Sequence, residues 1–289
     1  MNYVLWGVIA RAREQYDVSV CHFIFMGNHF HMLLVVRNPE DVSKFIGYVK
    51  TESAHAVNRF LNRSQRTVWQ DGYDSPVVLT SESAKRYIAY IYLNPVRARL
   101  VASIKDYPGV SSWEMFVQKI ESKKFKRLSR RALKPLSSPT LSIRQQRKLV
   151  STFGKCEGSE HLFVLEPNAW MDCFSDTRDE DRNLLNDELL KTIRGDEAES
   201  ERERKKNRQA VFGATALRQR SIISNHVPKK RSRRMICISS DKTLRGDFLR
   251  LFKALANSAS SVYQAWKKGD RSQVMPVGMF SPPMPVLAS

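Results

Sequence analysis

Hydrophobic and polar positions follow regular patterns over the first part of the chain. Residues 5–15 have helical spacing, and residues 18–25 (VSVCHFIF) are rich in types that favour strands. Residues 26–28 form a short turn, and residues 29–36 (HFHMLLVV) form a second apolar stretch. Because a short turn suits antiparallel pairing, the pattern predicts a helix followed by a β-hairpin.

A long amphipathic helix is predicted next, over residues 42–61, because apolar residues recur there at mostly helical spacing. Residues 67–69 and 76–79 have the composition of short strands on either side of an Asp-Gly turn. These patterns are regular up to about residue 117. They predict one compact unit, which we interpret as the catalytic domain, over residues 1–117.

Beyond residue 117 the composition changes, which indicates a domain boundary. Cations dominate residues 119–134, and the segment LSSP that follows is typical of a linker. Helical spacing returns twice, in residues 184–193 and 243–268, and it is interrupted by charge runs and a proline-rich end. The predicted organisation is a domain (1–117), a basic linker (118–140), and a mainly helical extension with disordered basic and proline-rich parts (141–289).

The net charge of the chain indicates which classes of partner it can bind. Its 289 residues have a formal net charge of +19, so DNA, RNA and anionic membranes are the first partners to consider. No apolar run approaches the roughly 18 to 20 residues needed to cross a bilayer, and the first residues do not resemble a secretory leader. The four cysteines lie far apart, which argues against a structural zinc site or a disulfide framework. We expect a soluble protein of the cytoplasm.

Two histidines in the second predicted strand are the first candidates for chemistry. On a strand, residues two apart share a face, so His29 and His31 project together while Phe30 points to the opposite side. Two imidazoles supply about half of the ligands of a metal site. Such a site suits Mn²⁺ or Mg²⁺ if oxygen atoms provide the other ligands, and the type of ligand alone does not exclude zinc. The alternative is a pair of structural histidines.

A tyrosine-rich helix carries the second set of candidates. Thr80 or Ser81 is expected to cap it, and Pro95 to end or kink it. Tyr90 and Asn94 lie one turn apart on one face of this helix. A phenol can attack a phosphate when a metal polarises that phosphate, and an amide oxygen can be a further metal ligand. The alternative is that the tyrosines only pack the helix against the sheet.

Four separate motifs resemble one known family in their order and spacing. They are Met26-Gly27-Asn28-His29-Phe30-His31-Met32-Leu33-Leu34, Trp69-Gln70-Asp71-Gly72-Tyr73, Tyr90-Ile91-Tyr92-Leu93-Asn94-Pro95-Val96-Arg97-Ala98 and Ser111-Ser112-Trp113. Over about residues 5–116 the chain resembles the REP-associated tyrosine transposases, bacterial relatives of the single-tyrosine HUH transposases.

The resemblance implies a ferredoxin-like α+β domain, with an antiparallel sheet that carries the histidines and a helix that presents the tyrosine. It implies that His29, His31 and Asn94 bind Mg²⁺ or Mn²⁺, and that Tyr90 is the nucleophile. Tyr87 and Tyr92 are expected to point elsewhere. The implied activity is cleavage and rejoining of single-stranded or hairpin DNA through a 5′-phosphotyrosine, without a nucleotide cofactor, by a monomer or homodimer associated with the bacterial nucleoid.

The chain departs from the family pattern at its start and before the histidines. Relatives begin with a strand ahead of the first helix, whereas Met1 falls almost inside that helix, so the sheet is expected to lack this strand unless the start lies upstream. Gly27 stands where relatives carry proline, a change that flexible glycine tolerates.

Several other polar residues lie near these motifs or form clusters of their own. Cations that flank the motifs or form the basic cluster could line a DNA groove: Arg59, Arg63, Arg66, Lys85, Arg86, Arg97, Arg99, Lys229, Lys230, Arg231, Arg233 and Arg234. Glu52 and His55 on the long helix, and His22 on the first strand, are expected to be surface or packing residues. His161 and His226 are expected to have no partners.

Two rival functions remain open from the sequence. A domesticated protein of the same fold could bind DNA or RNA through its basic surface without cutting it. The second rival function is that of an HUH nuclease for replication or plasmid mobilisation. It is disfavoured because the Tyr-Ile-x-x-Asn-Pro motif of residues 90–95 is typical of the transposase branch.

Overall fold

The structure is a computed structural model that describes residues 1–64, 66–129, 133–136, 138, 140–221, 234–279 and 282–285. The chain divides into two compact units, one formed by Met1–Gly72 with Ala84–Arg231 and the other by Tyr73–Ser83 with Ser232–Ser289. The cluster residues Lys229, Lys230, Arg231 and Arg233 lie outside the described residues, as does His226. The predicted domain boundaries at residues 117 and 140 stay a prediction.

Helices and strands alternate at the start of the chain, and helices dominate after residue 181. The helices are α1 (Asn2–Gln15), α2 (Pro39–Phe60), α3 (Ser81–Arg97), α4 (Trp113–Val117), α5 (Ile143–Lys155), α6 (Arg182–Lys206), α7 (Ala214–Gln219) and α8 (Lys242–Lys267), with 3-10 turns at Ile104–Asp106 and Ala169–Cys173. The strands are β1 (Val18–Phe25), β2 (Phe30–Val36), β3 (Val77–Val78), β4 (Ser122–Lys126), β5 (Glu160–Val164) and β6 (Cys237–Ile238).

The predicted hairpin is confirmed. Strands β1 and β2 pair antiparallel, with Ile24 opposite His31 and Phe25 opposite Phe30. A register shift between Val20 and His22 interrupts the pairing. Every residue of β1 except Ser19 is buried, as its near-continuous apolar sequence predicts, whereas β2 is mostly half-buried. The predicted α+β class, with an antiparallel sheet and a mainly helical C-terminal part, is also confirmed.

An aromatic core joins α1 to strands that come after residue 117. Trp6 stacks on Phe125 of β4, with ring centroids 5.0 Å apart and nearly parallel planes. Its ring also meets Phe23 of β1 and Phe163 of β5 edge-on, each at 5.4 Å. Strands β4 and β5 pair antiparallel, so residues 122–126 of the predicted linker form a strand of the first unit, whose Phe125 covers one side of this aromatic core.

The edge of β1 that faces away from β2 is covered by two other segments. Phe25 donates its backbone N–H to the carbonyl of Val110, and Ser112 donates to the carbonyl of Phe23. Farther along the strand, Glu166 donates its backbone N–H to Val20. Val20, Phe23 and Phe25 of β1 thus have backbone partners on this outer edge, in addition to the pairing of β1 with β2.

The Trp-Gln-Asp-Gly motif is a loop, so the predicted strand at residues 67–69 is wrong. Side chains of α2 hold this loop in place. The indole N–H of Trp69 donates to Ser53 Oγ at 2.8 Å, and Lys50 Nζ donates to the carbonyls of Gln70 and Gly72 at 2.6 and 3.0 Å. Backbone groups held by side chains in this way have no need of a partner strand.

Helix α3 starts and ends close to the predicted positions. Thr80 Oγ1 accepts the backbone N–H of Ser83 at 3.2 Å, which is the hydrogen bond of a helix cap. The helix continues two residues past Pro95, to Arg97. The carbonyl of Pro95 then accepts the N–H of Leu100.

The second unit contains a short parallel pairing of β3 with β6 and the amphipathic helix α8. Asp241 caps α8 by accepting the N–H groups of Thr243 and Leu244. In the parts of the chain that the structure describes, no helix combines the length and the apolar character needed to span a bilayer.

Candidate metal and nucleophile site

His29 and His31 lie side by side, as predicted, with ring centroids 4.9 Å apart. His29 is the last residue before β2, and its carbonyl accepts the N–H of Met26 to close the turn. Its Nδ1 lies 2.7 Å from Oδ1 of Asn28. Since an amide oxygen can only accept, Nδ1 carries the proton, and Nε2 of His29 keeps its lone pair.

His31 has a ring nitrogen that is buried next to His29. Its Nε2 is buried and has no hydrogen-bond partner among the described residues. Burial, and next the electrostatic interaction with His29, lower the pKa of His31 to about 4. The ring is therefore neutral at pH 7, which is the state that can bind a metal ion. An unsatisfied buried imidazole nitrogen beside a second imidazole fits a divalent ion.

Tyr90 lies against this histidine pair. Its ring centroid is 5.1 Å from that of His31, with the planes at 75°. The residue is 37% exposed, so its phenol is accessible to a large substrate. The structure thus brings together three of the predicted site residues, two from the hairpin and one from α3.

Tyr87 also lies in this cluster, contrary to the prediction that it points elsewhere. Its ring stacks on that of Tyr90, with centroids 5.9 Å apart and planes at 19°, and meets His31 edge-on at 6.5 Å. Burial, and next the nearby Tyr90, raise the pKa of Tyr87 to about 12. The i, i+3 spacing of the two tyrosines was the sequence signal that could have indicated this.

Tyr92 points away from Tyr90, as predicted, and its buried side chain ends in a hydrogen-bond network. Its hydroxyl lies 2.7 Å from Nδ1 of His22 and 2.9 Å from Oγ of Ser112. Nε2 of His22 lies 3.0 Å from the carbonyl of Pro167, an obligate acceptor, so Nε2 donates and Nδ1 accepts from Tyr92. Burial lowers the pKa of His22 to about 3, which keeps this ring neutral. His22 is thus a packing residue, as predicted.

Asn94 is half-buried on α3, one turn beyond Tyr90. Within the described ranges, no group of three or more His, Cys, Asp or Glu side chains is arranged to hold a metal ion. The predicted ligands, His29, His31 and Asn94, differ from such a group because the third ligand is an amide. The role of Asn94 as a metal ligand stays a prediction.

Glu52 and His55 have other partners. Arg11 Nη2 donates to Glu52 Oε2 at 3.0 Å, and its Nε donates to the hydroxyl of Tyr48 at 2.9 Å. His55 is exposed, with Nδ1 3.8 Å from the second carboxylate oxygen of Glu52. Glu52 is therefore the counter-charge of Arg11, and His55 is a surface residue.

His161 does have partners, so the prediction for it is wrong. Its Nδ1 lies 2.6 Å from Glu14 Oε2, and its Nε2 lies 2.8 Å from Ser159 Oγ. These contacts bridge α1 and β5, which the sequence places almost 150 residues apart. Long-range pairing of this kind leaves no local signal.

The predicted DNA-binding cations have varied surroundings. Arg63 donates to Asn58 Oδ1 at 2.8 Å, and Arg97 lies 3.6 Å from Asp196. The remaining described members are either half-buried (Arg59 and Lys85) or exposed (Arg66, Arg86, Arg99 and Arg234). Their role in binding DNA stays a prediction.

A comparison with protein-family models agrees with the resemblance seen in the motifs. Residues 1–92 match the family model for IS200-like transposases. A solved structure of a REP-associated tyrosine transposase bound to a REP hairpin is similar to the chain at 19% identity, over 40% of this chain and 67% of that one, with a TM-score of 0.36. Among curated proteins, none matches the sequence significantly. The predicted family resemblance is thus confirmed over residues 1–92.

Proposed function

From the premise that residues 1–92 carry the sequence pattern of IS200-like transposases, we propose that this chain is a tyrosine transesterase of DNA. Its substrate in this proposal is single-stranded or hairpin DNA, which it cleaves and rejoins. The observation that carries the proposal is the contact between the accessible ring of Tyr90 and the neutral imidazole of His31.

Three residues would hold a divalent ion, Mg²⁺ or Mn²⁺. They are His29 and His31, each through an imidazole nitrogen, and Asn94 through its amide oxygen. When bound, such an ion supplies charge that polarises the scissile phosphate and favours the deprotonated phenol. The hydrogen bond from His29 to Asn28 supports this assignment because it fixes the tautomer and orientation of a ligand ring.

Tyr90 is the nucleophile in this proposal. Its phenolic oxygen loses its proton to solvent and attacks the phosphorus atom. The bond between phosphorus and the 3′ oxygen breaks, and that oxygen takes a proton from solvent and leaves as a 3′-hydroxyl. The DNA remains attached to Tyr90 through a 5′-phosphotyrosine. Since this bond keeps the energy of a phosphodiester, a 3′-hydroxyl can attack it later, release Tyr90 and rejoin DNA without a nucleotide cofactor.

The high positive charge supports DNA as the partner. With a formal net charge of +19, the chain attracts a phosphate backbone over a long range at low salt. A bacterial protein with this partner would be associated with the nucleoid, as a monomer or a homodimer. The same charge also supports the second candidate, a protein that binds DNA or RNA without cleaving it.

Covalent trapping separates these two functions. A labelled hairpin oligonucleotide incubated with the protein and Mn²⁺ should give a slowly migrating species on a denaturing gel. Tyr90→Phe should abolish this species, while Tyr73→Phe, at a residue of similar exposure (38% against 37%), should keep it. A wild-type protein that shifts the oligonucleotide on a native gel but forms no covalent species would support the non-cleaving binder instead.

A further inference from the structure

Three aromatic rings form a closed cluster at the proposed site. Tyr90 contacts His31 on one side, at 5.1 Å, and Tyr87 on another, at 5.9 Å. Tyr87 and His31 complete the triangle at 6.5 Å. The nucleophile thus lies between a histidine of the hairpin and a second tyrosine of its own helix, α3.

An exposed phenol on a helix can otherwise adopt more than one rotamer. Attack on a phosphate requires the oxygen to be close to the phosphorus and in line with the leaving group, so a fixed ring orientation increases the rate. Stacking between aromatic rings limits rotation about the side-chain bonds of the more exposed ring. Tyr87 is the ring that stacks on Tyr90, since Tyr92 is buried on the other side of α3.

We propose that Tyr87 is a positioning residue, whose ring holds the phenol of Tyr90 in the orientation needed for attack. This inference rests on the proposed function and assigns a role to a residue outside the predicted catalytic set. The contact is made by the ring, so phenylalanine should replace Tyr87 and an aliphatic side chain should not. Tyr87 itself forms no bond to DNA in this proposal.

The test compares Tyr87→Leu with Tyr87→Phe. The rate of covalent adduct formation is measured in a single turnover with saturating hairpin DNA and Mn²⁺. We expect Tyr87→Leu to be slower by about tenfold or more, and Tyr87→Phe to stay within about threefold of the wild type. The dissociation constant for the hairpin without metal should change by less than about twofold in both variants, because the proposed role affects the orientation of Tyr90 rather than DNA binding. Tyr73→Leu is the matched control for the loss of a tyrosine ring elsewhere.

A second measurement does not depend on cleavage. Side-chain NMR of the protein with labelled tyrosine should show that the ring of Tyr90 is more mobile in Tyr87→Leu than in the wild type or in Tyr87→Phe. If Tyr87→Leu lost too much structure to be studied, Tyr87→Met, which keeps an apolar side chain but no ring, would replace it in both measurements.

The outcomes separate this inference from the proposed function. If the wild type forms no adduct, the proposed function fails, and the mobility of the Tyr90 ring still decides the inference. If the wild type forms the adduct and Tyr87→Leu forms it within about threefold of the same rate, only the role of Tyr87 is overturned. An equal decrease in the rate of adduct formation in Tyr87→Phe and Tyr87→Leu would also overturn the role of the Tyr87 ring, because the hydroxyl and not the ring would then be the important group.

Discussion

Removing the hydroxyl of Tyr92 should destabilise the protein by about 1–3 kcal/mol, because it leaves buried polar groups without a partner. The hydroxyl lies 2.7 Å from His22 Nδ1 and 2.9 Å from Ser112 Oγ, and all three residues are buried. In Tyr92→Phe the ring can keep its contacts with Trp113 and Phe116. The loss therefore comes from hydrogen bonding and not from a large cavity.

The size of the decrease in the free energy of unfolding depends on which atoms lose a hydrogen-bond partner. Ser112 Oγ still accepts the N–H of Phe23, at 2.9 Å, so the contribution from Ser112 is small. His22 Nδ1 has its hydrogen bond with Tyr92, and water does not reach it readily at this buried position. One unsatisfied buried acceptor accounts for most of the expected 1–3 kcal/mol, which is a change of about 5-fold to 150-fold in the unfolding equilibrium constant.

Urea unfolding at pH 7, followed by tryptophan fluorescence, measures this effect. Tyr92→Phe should lower the midpoint and leave the slope unchanged. Tyr263→Phe is the matched control, because its ring can keep the contact with Trp266. A double-mutant cycle with Ser112→Ala should give a coupling of about 0.5 kcal/mol or more. A change below about 0.5 kcal/mol for Tyr92→Phe would refute the reasoning, since surface substitutions give changes of that size.

Three more predictions follow from the core. Burial lowers the pKa of His22 to about 3 and that of His31 to about 4, whereas an unfolded imidazole titrates near about 6.5. As the pH falls below about 6.5, the unfolding free energy should therefore fall by up to about 1.4 kcal/mol per pH unit for each of these two histidines, and urea unfolding of the wild type and of His22→Phe at several pH values would separate their contributions. A chain ending at residue 117 lacks β4 and β5, whose rings contact Trp6, and in calorimetry it should show no cooperative thermal transition, whereas we expect the full chain to show one. Glu52→Gln leaves Arg11, with a side chain 7% exposed, without its counter-charge, and should lower stability in urea by about 1–3 kcal/mol.

The sequence predicted the elements whose pattern is local. Strand β1 has the predicted bounds, because a stretch of eight residues rich in apolar and β-forming types is followed directly by a turn. The contact between the histidine rings followed from the two-residue period of a strand. Tyr90 was found by its place in a motif, and the structure puts its ring beside His31.

Other features depend on contacts that no local pattern contains. Residues 110–112 and 166 cover the edge of β1, and each lies more than 80 residues from it along the chain. The loop at Trp69 was predicted as a strand because its composition is similar, whereas side chains of α2 hold it. Tyr87 was missed because the motif begins at Tyr90, although helical spacing places both tyrosines on one side of α3.

Mapping of the covalent DNA adduct tests the central claim most directly. The adduct formed with hairpin DNA and Mn²⁺ is digested with nuclease and trypsin, and the peptide of residues 87–97 is fragmented in a mass spectrometer. This peptide contains Tyr87, Tyr90 and Tyr92, so fragmentation assigns the nucleotide to one of them. We predict that the added mass is on Tyr90 and that His31→Ala abolishes it. An adduct on another residue, or an adduct that persists at the same rate in His31→Ala, would contradict the account.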